Sequence, residues 1–130
     1  MILVIGGRAQ GKLEYVLEHT KFSESDLATD FAPAHTSRIF YRMHEAVRET
    51  LGGGGNPLDE LTRLMDANPS IVIICDEVGG GVVPIDPFER EWRETVGRLC
   101  FEAAQRADIV ERIFCGLPMR LKGDGEWSLS

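Results

Sequence analysis

The chain of 130 residues has no apolar run long enough to cross a bilayer, which excludes a helical membrane span as its working principle. It also has no cluster of lysine and arginine. The 14 basic residues are scattered among 21 acidic ones, for a formal charge of −7. A nucleic-acid partner needs a basic face to neutralise phosphates, so that class is excluded, although a mononucleotide needs only one loop and one lysine. Cysteine is scarce and unpaired in pattern. Cys75, Cys100 and Cys115 are odd in number, far apart, and form no C-x-x-C. That argues against a disulfide framework or a zinc site and predicts buried free thiols in a reducing cytoplasm. The N-terminus lacks the basic region and cleavage site of a signal peptide. There is no internal repeat, and the only low-complexity segment is Gly52–Gly55. What remains is ordinary for a globular chain, 43% apolar and 27% charged, and one domain with a substantial core is expected over residues 1–130.

The most informative stretch is MILVIGGRAQGK at residues 1–12. Ile2 to Ile5 reads as a buried strand, Gly6 and Gly7 stop it, and Gly11-Lys12 opens a segment with helical spacing. Strand, glycine turn and helix are the context that makes G-x-x-x-x-G-K a phosphate-binding loop. Gly6 and Gly11 are expected to turn the backbone with positive φ, so that amides of Gly6, Gly7, Arg8, Ala9, Gln10, Gly11, Lys12 and Leu13 gather around an anion. The helix N-terminus would add its dipole, and Lys12 would reach the outer phosphates of ATP or GTP. Leu13 stands where such loops place a Ser or Thr hydroxyl on Mg²⁺, so the metal is weakened as a cofactor. A glycine-rich turn in any α/β protein gives similar letters. The position directly after a buried N-terminal strand favours the phosphate reading.

Further along, the first helix is expected from about Gly11 to His19, with Leu13, Val16 and Leu17 on its buried face. Residues 20–36 show no sustained period and read as a loop. From Ser37 a second helix is expected, with Ile39, Phe40, Met43, Val47 and Leu51 in its stripe and Thr36 or Ser37 as cap. The glycine run 52–55 ends it. Asn56 caps and Pro57 starts a third helix with Leu58, Leu61, Leu64 and Met65 inward. Residues 71–75 form an apolar strand of the kind buried on both faces. After a glycine loop at 78–84, Asp86 and Pro87 begin the longest helix, to about Ala107. A strand from Ile109 to Cys115, a short paired strand at 118–122 and a frayed tail from Gly123 complete the chain. Strands separated by helices predict an α/β fold with a parallel sheet flanked by helices in three layers.

Parallel strands end on a common rim, so Asp76 and Glu77 are expected to face the 6–12 loop. Asp76 is the candidate metal ligand. Lys12 and Glu77 are candidate catalytic groups, with Glu77 able to orient an acceptor. Acids also end strands simply because the edge is wet. The 79–81 glycines admit two readings, close approach to a ligand or a tight strand-to-helix turn. Of the histidines, His35 and His44 are candidates for acid–base or covalent work, and His19 suits a helix C-terminus. His44 lies one turn before Arg48, which would favour a neutral ring. Trp92 and Phe88, at helical spacing, are expected in the core.

These segments together resemble the bifunctional adenosylcobinamide kinase and adenosylcobinamide-phosphate guanylyltransferase family of cobalamin biosynthesis. Ile2 to Lys12 is similar to its N-terminal loop. Glu77-Val78-Gly79-x-Gly81-Val82-Val83-Pro84 is the more specific string, with Asp76 in place of an Asn. Phe88, Arg93, Gly97-Arg98, Ala107-Asp108, Gly116 and Lys122 extend the similarity, which covers residues 1–13 and about 71–122. The resemblance implies a phosphate-loop NTPase-like, RecA-like nucleotide-binding fold, a homo-oligomer, and adenosylcobinamide as a partner. It also implies kinase activity followed by GMP transfer through a guanylylated histidine. Arg38-Ile39 is present near the place for that histidine, and His44 is the candidate.

Overall fold

A computed structural model describes residues 1–83 and 85–127. Its centre is a six-stranded sheet built from β1 (Ile2–Gly6), β2 (Leu27–Ala28), β3 (Ile39–Phe40), β4 (Val72–Asp76), β5 (Ile109–Phe114) and β6 (Leu117–Lys122). The strand order is β2-β3-β4-β1-β5-β6; every pairing is parallel except the β5–β6 hairpin. Five helices connect them: α1 (Lys12–His19), α2 (Phe31–Ala34), α3 (Met43–Gly52), α4 (Pro57–Ala67) and α5 (Pro87–Arg106). The expected α/β architecture, a mostly parallel sheet between helices, is what forms.

Side-chain alternation in the central strands splits the core into two layers. Leu3 of β1 and Ile73 and Cys75 of β4 face α2, α3, α4 and α5, where they meet Phe31, Met43, Val47, Leu61, Leu64, Val96 and Leu99. Ile2 and Val4 with Val72 and Ile74 face the other way, onto Tyr15 and Val16 of α1. Both faces of β1 and β4 are therefore buried, which is why these strands read as unbroken apolar runs. The caps at two helices match expectation. Asn56 Oδ1 accepts the Asp59 N–H (3.2 Å), Asp86 Oδ1 accepts the Phe88 N–H (2.9 Å), and proline opens both helices.

Four expectations need correction. Residues 20–36 are not a plain loop: they hold a short 3₁₀ turn at Glu24–Asp26, the edge strand β2 and the one-turn helix α2. The helix expected from Ser37 starts at Met43. Ile39 and Phe40 instead form β3 and are fully buried between β2 and β4, and Arg42, in the left-handed region (φ 60°), is the residue from which α3 starts. Two residues satisfy a helical and an extended pattern alike, and sheet pairing decides between them. The thiols are not uniformly buried. Cys75 is, Cys100 is half-buried against it, and Cys115 is exposed in the β5–β6 turn, though all three are free. The tail is held as far as Trp127, whose Nε1–H donates to Glu111 (2.9 Å) and whose ring meets Tyr15 edge-on at 5.7 Å. Residues 128–130 lie outside the described residues. Trp92 is core, as expected, while Phe88 is half-buried.

Candidate functional site

β1 and β4 are adjacent, and their connections leave on opposite faces: α1 packs on one side of the sheet and α5 on the other. The crevice at such a divergence, outside the strands' carboxyl ends, is where open α/β sheets take ligands. Here it holds the 6–12 loop and Asp76. Gly6 pairs in register with Asp76, and the Glu77 N–H donates to Gly6 O (2.8 Å). A cleft of about 450 Å³ opens at this point, lined by residues 8–14 on one wall and by Tyr41, Arg42 and Asp76 on the other.

The loop is shaped differently from the sequence expectation in one respect. Gly11 has positive φ (87°), as expected, but Gly6 does not, and the second left-handed residue is Ala9 (φ 58°). Gly6 is required by proximity instead, since a Cβ there would stand 2.6 Å from the Ile113 carbonyl oxygen of β5. Gln10 anchors the loop from outside. Its Oε1 accepts the Cys115 N–H (2.7 Å) and its carbonyl accepts the Gly116 N–H (2.8 Å), tying the loop to the β5–β6 turn. Gly11 offers α1 no side-chain cap, so the first-turn amides face the cleft without a side-chain acceptor from that position.

Lys12 is 6% exposed; its Nζ donates to Gly7 O (2.6 Å) and pairs with Asp76 Oδ1 (2.8 Å). The two residues singled out from separate segments of the sequence, Lys12 and Asp76, are thus in direct contact. His44 joins them. Its Nδ1 accepts the Asp76 N–H (3.1 Å) and its Nε2 stands 3.3 Å from Asp76 Oδ2. Burial pushes the imidazole below its usual value, with Arg42 and Lys12 adding to that and Asp76 and Glu45 opposing it. A neutral ring was expected from Arg48, but Arg48 turns away to a two-point pair with Glu89 (2.5 and 3.1 Å) and stacks over Trp92 at 3.9 Å.

Glu77 is on the expected rim, yet its carboxylate is turned to Arg112 of β5, 2.8 and 3.0 Å away. Leu13 lines the cleft and packs partly against the α1-side core, contributing no oxygen. Among the described residues no group of three or more His, Cys, Asp or Glu side chains is arranged to hold a metal ion. Mg²⁺ characteristically takes one or two carboxylates and completes its shell with water and phosphate oxygens. Two carboxylates line the cleft, Glu14 and Asp76, and Asp76, at the end of β4 beside Lys12, could supply one such ligand.

The 79–81 glycines stand clear of the cleft. A Cβ at any of them would meet nothing within 4 Å, and Arg93 binds the loop through the carbonyls of Val78, Gly80 and Val82. Gly79 and Gly81 border a separate pocket of about 270 Å³ with Val83, Arg90, Arg93 and Glu94, and Pro84 lies outside the described residues. His35 borders a separate pocket of about 150 Å³ with Asn68 and Ser70, and His19 Nδ1 is 2.9 Å from Tyr15 O. Sequence reasoning placed Gln10 in the loop but missed its side chain as the loop's anchor, and it missed Arg42 altogether. Their roles come from a left-handed backbone and a contact with a turn 105 residues away, and neither leaves a local signal.

Residues 56–121 match the family described as cobinamide kinase / cobinamide phosphate guanyltransferase. The bifunctional adenosylcobalamin biosynthesis protein CobP of Pseudomonas aeruginosa is 37% identical over 54 residues, covering 42% of this chain and 31% of that protein. The matched stretch thus spans about a third of that relative's length. The family match takes in α4, β4, α5, β5 and most of β6, half of the chain, and the chain belongs to the cobinamide kinase / cobinamide phosphate guanyltransferase family.

Proposed function

We propose that the chain binds the phosphates of ATP or GTP in the cleft at residues 6–13 and serves cobinamide phosphorylation in cobalamin biosynthesis. The observation that carries this is the contact of Lys12 with Asp76 across neighbouring parallel strand ends, beneath a helix start that lacks a side-chain cap. The loop amides and the α1 dipole hold the anion, while Lys12 and Arg42, both bordering the cleft, supply positive charge. Asp76 would hold Mg²⁺ or one of its waters, and that ion would neutralise charge developing on the transferred phosphate. Glu77, beside the cleft, orients the acceptor only if it leaves Arg112. The acceptor is adenosylcobinamide, the enzyme is cytoplasmic, and it works as a homo-oligomer. Support for association comes from Phe114, Leu117, Met119 and Leu121 on β5 and β6, with Phe101 on α5, all more than half exposed.

A second reading is favoured by Leu13: a relative that binds nucleotide, or a scaffold, without transferring phosphate. Thermal unfolding with ATP or GTP, each with and without Mg²⁺, separates the two. Ligand at about 100 times Kd adds roughly 2.7 kcal/mol, a rise of about 10 °C for a chain of this size. A Mg²⁺-dependent rise with turnover of adenosylcobinamide supports the kinase. A rise that ignores Mg²⁺, without turnover, supports the binding-only relative. No rise with either nucleotide refutes the phosphate-site reading.

A further inference from the structure

We infer that Arg42 is a specificity-determining residue that reads the terminal phosphate of a nucleoside triphosphate from the wall opposite the loop, so that the cleft prefers ATP to ADP. The inference rests on the phosphate-site reading and adds to it which end of the ligand each wall holds. Residues 8–14 form one wall of the cleft, and Tyr41 and Arg42 stand on the other with Asp76. In a loop of this kind the amides cradle the inner phosphates and the lysine reaches the outer ones. Lys12 keeps to the loop side, against Gly7 O (2.6 Å) and Asp76 Oδ1 (2.8 Å). The last phosphate of a triphosphate projects beyond the cradle, and a diphosphate has nothing at that place. On the facing wall the cationic residue is Arg42.

The Arg42 guanidinium is not spent on the protein. Among the described residues its ionic partner is Glu45 at 3.8 Å, too far for a hydrogen bond, and the two side chains are 51% and 43% exposed. Arg48, Arg112 and Arg120, by contrast, are hydrogen-bonded to Glu89, Glu77 and Glu111, and Arg93 to three loop carbonyls. The backbone beneath Arg42 is fixed on both sides. The Tyr41 N–H donates to Ala28 O (2.8 Å), and the Glu45 N–H donates to Arg42 O (3.0 Å). Tyr41 also packs against the α1-side core. Arg42 itself is left-handed (φ 60°), and among the described residues Ala9 and Cys115 are the other non-glycine residues with positive φ. Ala9 and Arg42 line the cleft, and Cys115 lies in the turn that Gln10 grips. Strained backbone of this kind persists only where its surroundings enforce it, and it collects at ligand clamps. Here it carries a guanidinium, whose planar fork matches phosphate oxygens.

Calorimetric titration of the whole chain with ATP and with ADP tests this. It is run in buffers with Mg²⁺ and with EDTA, because the contact is made by the protein and does not pass through the ion. The variants are Arg42→Asn and Arg42→Lys, with thermal unfolding to check that each folds. Asparagine enters the left-handed region more readily than most residues, so Arg42→Asn removes the charge without adding strain at the start of α3. The wild type is expected to bind ATP more tightly than ADP. Arg42→Asn should weaken ATP roughly tenfold at low ionic strength, the scale of a lost hydrogen bond to a charged group, and leave ADP within about twofold. That loss should shrink as salt rises. Arg42→Lys keeps the charge without the fork and should fall between the wild type and Arg42→Asn. Lys21→Gln removes one positive charge from an exposed position outside the cleft and should change neither affinity. Equal affinities for ATP and ADP in the wild type overturn the inference and leave the phosphate site standing. So does a loss that is absent from both Arg42 variants or falls equally on ATP and ADP. A loss in Lys21→Gln that matches Arg42→Asn overturns it in favour of net charge alone. Binding of neither nucleotide by the wild type is a separate outcome, in which the phosphate-site reading falls and this inference with it.

Discussion

Gly6→Ala tests whether the loop is built on close strand packing. The added Cβ would stand 2.6 Å from the Ile113 carbonyl oxygen, whereas the Lys12 stem, at 3.4 Å, is an ordinary neighbour. Gly6 and Ile113 are register partners, so relief requires β1 and β5 to separate at the mouth of the site. Overpacking of this kind costs about 1–3 kcal/mol. Alanine recovers about 0.4–1 kcal/mol by restricting the unfolded chain. The net expectation is a loss of about 1–2 kcal/mol, or a fall in Tm of about 4–8 °C at this chain length. Thermal and urea unfolding measure it, with Gly80→Ala as the comparison, since a Cβ at Gly80 meets nothing within 4 Å. That variant should stay within about 0.5 kcal/mol of the wild type. A Gly6→Ala protein as stable as the wild type would show that β5 does not press on the loop, and would refute the packing argument for this glycine.

Gly97 lies inside α5 with open space around it, so Gly97→Ala should raise stability by about 0.5–1 kcal/mol in the same unfolding assay. Burial, then the hydrogen bond and charge of Glu111, push the Tyr15 phenol up to about 12. A phenol whose folded value lies above its unfolded value of about 10 stabilises the fold fully below pH 10 and loses that contribution as pH rises toward about 12. Stability measured across that window should fall in the wild type and fall less steeply in Tyr15→Phe. Glu111 is buried and accepts from Tyr15, Trp127 and Arg120 (2.9, 2.9 and 3.1 Å). Glu111→Ala should cost about 2 kcal/mol or more, since those donors lose their acceptor, and near-ultraviolet circular dichroism should show Trp127 released. Leu13→Ser should give nucleotide binding a stronger Mg²⁺ dependence in calorimetric titration; an unchanged dependence would show that the loop does not bring residue 13 to the metal.

The strongest local signals were sufficient for the frame. Apolar runs at 2–5 and 71–75 were long and uninterrupted enough to mark the two central strands, and Asn56-Pro57 and Asp86-Pro87 marked helix starts, because buried strands and helix caps depend on neighbours in the chain. The same logic placed Lys12 and Asp76 on one rim, since parallel strands must end together. The sequence did not determine β2 and β3, two residues each, because two-residue strands exist only where another strand pairs with them. Nor did it determine that Gly6 is needed for a β5 carbonyl rather than for a turn, or that Arg48 belongs to Glu89 and His44 to Asp76. Each of those choices depends on which side chain arrives across the sheet or from another helix, and that was decided only when the layers packed.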